Sequence, residues 1–133
     1  MKAVFADTFY WIALTAPADA AYARAHQITT DIVTIDEVLS EYLTFFSTSS
    51  EYRRRKAAMN VDDILQDPSV RVLPQSRESF LAGLDLYRAR PDKGYSLTDC
   101  ISMHTMRREG LTDVLTNDRH FEQEGFRALF RDS

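Results

Sequence analysis

The chain has 133 residues, 44% of them apolar and 27% charged, a balance that suits one folded domain and excludes a disordered chain. Its formal charge of −4 argues against an overall basic surface for nucleic acid while leaving room for a local one. Cys100 is the single cysteine, which excludes an intrachain disulfide, and no apolar run nears the ~20 residues needed to cross a bilayer.

The opening stretch, MKAVFADTFYWIAL, has one Lys and an apolar run broken by Asp7, with no small-residue cleavage site. It reads as a first strand and helix rather than a signal peptide, and together with the lone cysteine it predicts a cytoplasmic protein. Strand-like runs follow at 3–6, 32–34, 70–73 and 113–116, with 128–130 as a fifth. Between them, segments of helical spacing fall near 18–28, 35–48, 51–66, 77–90 and 97–109. Strands alternating with helices predict a three-layer α/β/α sandwich around a parallel sheet of four to five strands, in a single domain spanning 1–133. Ligands of such sheets sit beyond the carboxyl ends of the strands.

Three carboxylates stand at strand ends or a helix start and a fourth, Glu41, one turn into a helix that follows a strand, and each also has an ordinary explanation. Asp7 ends the first strand and would serve as a helix N-cap. In TIDEVLSEYLTFF, Thr34 and Glu37 have capping-box spacing. At about 100° per residue, Glu41 lies at the margin of the apolar arc made by Val38, Leu39, Tyr42, Leu43, Phe45 and Phe46. Ser96 and Asp99 again have capping spacing, yet Asp99 shares a stripe with Met103 and Met106, while Thr98, Ser102, Thr105 and Glu109 gather elsewhere. A carboxylate on an apolar stripe must be paired, hydrogen-bonded, protonated or metal-bound. Asp118, in VLTNDRHFEQEGF, follows a strand and opens a short helical segment ending at Gly125. Four acids meeting at one sheet edge would repel one another strongly unless a cation lay between them.

Oxygen ligands alone point to Mg²⁺ or Mn²⁺. Zinc is disfavoured, because Cys100, His26, His104 and His120 make no ligand spacing, and His120 reads as background. With four carboxylates assigned to a site, sixteen acids remain against sixteen Lys and Arg. The basic residues cluster at 53–56, at 107–108, and at Arg88, Arg90 and Lys93. In the run at 9–12, Phe9 and Ile12 read as core, while Tyr10 and Trp11 are candidates for the rim of a partner groove.

In this order and spacing, FADT with Asp7, TIDEVLSEYL with Glu41, SLTDCISM with Asp99 and VLTNDRHFEQEGF with Asp118 resemble the PIN domain family across essentially the whole chain. The length is similar to the VapC-type toxin ribonucleases of VapBC toxin–antitoxin pairs. In the last segment the resemblance rests on Thr116, Asp118, Phe121 and Gly125-Phe126. Two departures are Phe9, where a small hydroxyl residue is usual, and Cys100, where a small residue is usual.

The resemblance implies a metal-dependent endoribonuclease using one or two Mg²⁺ (or Mn²⁺) ions and leaving 5′-phosphate and 3′-hydroxyl ends. It implies metal binding by Asp7, Asp99 and Asp118, with Glu41 a ligand or a group orienting a water, and carboxylate-holding roles for Thr8 and Thr116. It also implies an RNA substrate, a cognate antitoxin and a homodimer. Arg88, Arg90, Lys93 and Arg119 are the candidate RNA contacts, from clustering alone. Two alternatives stay open: a PIN nuclease of RNA processing outside a toxin–antitoxin pair, and a non-catalytic PIN-fold interaction module. A haloacid-dehalogenase-type phosphatase would want a D-x-D pair after the first strand, where ADTFYW has only Asp7.

Overall fold

The computed structural model describes residues 2–131. Among these, five strands form one sheet: β1 (Val4–Ala6), β2 (Ile32–Ile35), β3 (Val70–Leu73), β4 (Asp113–Leu115) and β5 (Arg127–Ala128). Their order is β3-β2-β1-β4-β5 and every neighbouring pair is parallel. The helices are α1 (Thr8–Thr15), α2 (Tyr22–Ala25), α3 (Asp36–Phe45), α4 (Glu51–Gln66), α5 (Arg77–Ala89), α6 (Leu97–Glu109) and α7 (Arg119–Gln123). Strand order runs outward from β1 in both directions. With right-handed crossovers, α1–α4 cover one face and α5–α7 the other. The point where the direction reverses, between β1 and β4, is where such sheets open a crevice at their carboxyl edge.

Burial explains why the central strands read as unbroken apolar runs. Phe5, Ala6, Val114 and Leu115 are fully shielded between the two helical layers, and Val33 nearly so. Tyr42, Phe121, Phe130, Met103 and Met106 fill the space around them.

Two local readings need correction, and α6 adds a finding. The segment expected as a helix over 18–28 is helical only at Tyr22–Ala25, because Asp19 turns its carboxylate onto the Ala21 amide at 2.8 Å and holds a turn. Thr34 is not a cap: it lies inside β2, its hydroxyl donates to the Ala6 carbonyl at 2.9 Å, and Ile35 takes the N-cap position of α3. On helix α6, Ser102 and Thr105 stand apart from the Met103 and Met106 stripe yet are as buried as it is. The reason is close packing by α5, whose Gly83 stands so near α6 that a Cβ there would lie 2.4 Å from Ile101 Cγ1. Thr105 resolves its burial by donating to the Ile101 carbonyl.

In α1, Tyr10 and Trp11 are buried, while Phe9 and Ile12 are half-buried and packed against the same core. Trp11 still walls a recess of about 260 Å³ with His26, Tyr42, Asn60 and Asp63.

Candidate metal centre

Asp7 follows the last residue of β1 and is 7% exposed. Its backbone occupies the N-cap position of α1, but its side chain makes no capping hydrogen bond. The carboxylate instead accepts the Thr116 hydroxyl at 2.9 Å, from the segment that leaves β4. Thr116 in turn accepts the Asp118 amide at 3.2 Å, so one hydroxyl ties two acids together. Burial first, and then the neighbouring charge of Asp99, push the Asp7 carboxyl up to about 7.

The other three acids approach from separate elements. Asp99 closes the capping box at the head of α6, accepting the Ser96 amide at 3.2 Å while Ser96 Oγ accepts the Asp99 amide at 3.0 Å. Burial, and the charges of Asp118 and Glu41, hold its carboxyl above the usual range against the lowering effect of the Ser96 amide. Asp118 caps α7 by accepting the His120 amide at 2.9 Å. Glu41, on the exposed margin of α3, takes the Thr8 hydroxyl at 2.5 Å. Two acids therefore are caps as well as walls of the cleft, and both threonines marked in the sequence hold a carboxylate.

The structure adds a residue that the sequence reading set aside. His120 Nδ1 lies 3.3 Å from Asp118 Oδ1 and 3.7 Å from Asp99 Oδ2, buried and without a hydrogen-bond partner. Its ring packs edgewise on Tyr95, with centroids 5.2 Å apart. The signal available in sequence was its place two residues after a capping aspartate, at the start of a helix directed at the same cleft.

The candidate RNA contacts are dispersed. Arg90 is held by Glu124 at 2.8 Å, in a cluster that Arg107 and Tyr95 join. Arg88 is exposed with Asp85 at 3.6 Å, and Lys93 and Arg119 are exposed, the latter beside Asp118.

These donors fit a divalent cation. Ligand atoms of Asp99, Asp118 and His120 all lie within 4.8 Å of one another, and the repulsion carried by Asp7 and Asp99 is the kind an ion relieves.

Fold and site together define an α/β protein that gathers a cluster of acidic side chains at the carboxyl edge of its parallel sheet. The PIN domain model matches residues 4–126, and the chain belongs to that family. The curated protein sequences give no match. Among solved structures, that of Mycobacterium tuberculosis VapC20, described as a sarcin-ricin loop cleaving toxin, is similar with a TM-score of 0.81 and 24% identity. The match covers 93% of this chain and 96% of that one, and at this identity it establishes a common fold. Among the described residues, no helix is long and apolar enough to cross a membrane.

Proposed function

We propose that this chain is a metal-dependent endoribonuclease, the toxin of a toxin–antitoxin pair, hydrolysing RNA to 5′-phosphate and 3′-hydroxyl ends. The observation that carries the reading is the meeting of Asp7, Glu41, Asp99 and Asp118 at one sheet edge, with Asp7 buried among like charges. The family and the sarcin-ricin loop cleaving activity of the VapC20 neighbour support RNA as the substrate class.

Asp7, Asp99 and Asp118 would hold one or two Mg²⁺ or Mn²⁺ ions. The bound metal would supply Lewis-acid stabilisation of the phosphodiester and a water acidified enough to attack it. The chain's own residues do the rest. Thr116 fixes Asp7 and the Asp118 backbone, and Thr8 fixes one oxygen of Glu41, leaving the other to orient the attacking water and take up its proton. Attack breaks the P–O3′ bond, and the departing 3′ oxygen takes a proton from solvent.

Arg119, exposed and next to Asp118, and the exposed Lys93 and Arg88 are the cations offered to the phosphate backbone. Arg90 serves the Glu124 cluster instead. Exposed apolar side chains, Phe80, Leu81 and Tyr87 on α5 and Leu43, Phe45 and Tyr52 on α3 and α4, support protein partners, for which we propose a second copy of the chain and an antitoxin.

The test is cleavage of structured RNAs by antitoxin-free protein with Mg²⁺, with Mn²⁺ and with chelator, alongside Asp99→Asn. Cleavage dependent on the ion and lost in the variant is expected. Cleavage that survives either change refutes the reading.

A further inference from the structure

We infer that His120 is a nitrogen ligand of this centre and that it turns the site toward Mn²⁺ and away from Mg²⁺. The inference rests on the cation-binding reading above and adds a donor that an all-carboxylate site lacks.

The geometry is that of a shared coordination sphere. Ligand atoms bind small divalent ions at roughly 2.0–2.2 Å, so two ligands of one ion stand at most about 4.4 Å apart. His120 Nδ1 meets that limit with both neighbours, at 3.3 Å from Asp118 Oδ1 and 3.7 Å from Asp99 Oδ2. The nitrogen faces both carboxylates yet makes a hydrogen bond with neither. It is a polar atom sealed against two acceptors, and an ion at the centre of the three would satisfy all of them at once.

The ring is also held in place from behind. Tyr95 packs on it, and the Tyr95 hydroxyl donates to Glu124 at 2.9 Å. Glu124 is clamped by Arg90 at 2.8 Å and Arg107 at 2.9 Å. Asp118, by accepting the His120 amide, fixes the backbone from the front. A ligand so oriented loses little freedom on binding.

Metal choice follows from donor chemistry. Mg²⁺ favours oxygen donors, whereas imidazole suits transition ions, whose affinity for nitrogen exceeds that of Mg²⁺. Asp7 and Glu41 bring further oxygen donors to the same group, a donor type that Mn²⁺ accepts as readily as Mg²⁺, so the imidazole is what separates the two ions.

The experiment is titration of the purified full chain with Mn²⁺ and, separately, Mg²⁺, followed by electron spin-echo modulation of the Mn²⁺ complex. Nitrogen modulation from a directly bound imidazole is expected in the parent and absent in His120→Ala. That variant should bind Mn²⁺ at least about tenfold more weakly, with Mg²⁺ affinity changed much less. His120→Asp should restore binding without the nitrogen signal and move the Mn²⁺/Mg²⁺ ratio toward Mg²⁺. His26 and His104 stay in every variant, so a nitrogen signal persisting in His120→Ala overturns the assignment. Mn²⁺ binding without nitrogen coupling in the parent, an unchanged affinity in His120→Ala, or no Mn²⁺ uptake overturns it as well. RNA cleavage is scored on the same samples: a nitrogen-ligated protein that cuts no RNA sinks the nuclease reading alone, and a nuclease without nitrogen coupling sinks this inference alone.

Discussion

Thr116 donates its hydroxyl to Asp7 at 2.9 Å across 109 residues of sequence, and with its oxygen accepts the amide of Asp118. One side chain thus sets the spacing of two acids from different strands, β1 and β4. Thr116→Val keeps the shape and removes the donor, so Asp7 loses the main hydrogen bond that lowers its carboxyl. Divalent-ion affinity should fall about tenfold at neutral pH, the scale typical of groups that orient a metal's ligands. Thr116→Ser should retain most of it. Isothermal titration of both variants with Mn²⁺ checks this, and equal affinities would show that the hydroxyl does not orient the site.

The raised carboxyl of Asp7 makes stability depend on pH in an unusual direction. Unfolded, the group titrates near 3.8; folded and metal-free, near 7. Between those values the folded chain holds a proton that the unfolded chain has released, so stability is full below the lower value and is lost as pH rises through the upper one. The span is worth on the order of 4 kcal/mol, and Asp99 shifts in the same direction. Urea midpoints measured in chelator should therefore fall from pH 4.5 to pH 8. Asp7→Asn should flatten the slope, and saturating Mn²⁺ should lift the high-pH limb. A midpoint that rises across that range in chelator would contradict the buried, crowded state of Asp7.

What was legible in the sequence follows the range of the interactions involved. β3 is found at the expected residues, because four apolar-rich positions between turn signals need no distant information. The Ser96–Asp99 box is equally local. Asp7, Asp99 and Asp118 were visible as strand-end or helix-start acids and Glu41 as an acid one turn into a helix, and their convergence follows from the parallel topology. Thr34 was misread because its partner is Ala6, on the neighbouring strand, and spacing within one helix says nothing about a hydroxyl that bonds across a sheet. His120 was passed over for a similar reason: its value lies in Asp99, 21 positions away, as much as in Asp118. Glu124 gave no sequence signal at all, since its three partners come from the loop after α5, the segment before α6 and the end of α6.

Gly83 offers a test of the packing that carries Asp99. Alanine is the better helix former by about 1 kcal/mol, so an exposed position would gain from the change. Here the added Cβ would stand 2.4 Å from Ile101 Cγ1 and 3.1 Å from the Ile101 backbone nitrogen. The side chain can turn away, but the backbone can only move with α6. Gly83→Ala should destabilise by about 1–3 kcal/mol, and should also weaken Mn²⁺ binding because Asp99 sits two residues before Ile101. Denaturant unfolding with ion titration measures both, and a stabilised variant would mean that α5 and α6 separate easily.

Glu124 supports the site from behind, and its removal should separate stability from charge. Its side chain is 4% exposed, and burial alone would raise its carboxyl. Hydrogen bonds from Arg90, Arg107 and Tyr95 outweigh that and bring it to about 2. Because the folded value lies below the unfolded 4.5, this stabilisation is complete above pH 4.5 and disappears only as pH falls through about 2. It is therefore constant above pH 4.5, over most of the range in which Asp7 titrates, and there the two effects can be measured apart. Glu124→Gln keeps the volume but leaves two half-exposed guanidiniums without their counter-charge, a loss of about 2 kcal/mol. The parent and variant should differ by a constant amount from pH 5 to pH 8 and converge in strong acid. Tyr95→Phe should cost less stability, since both arginines keep their partner, yet it frees the ring that steadies His120. A difference between parent and Glu124→Gln that persists unchanged at pH 2 would show that the cluster holds the fold by packing rather than by charge.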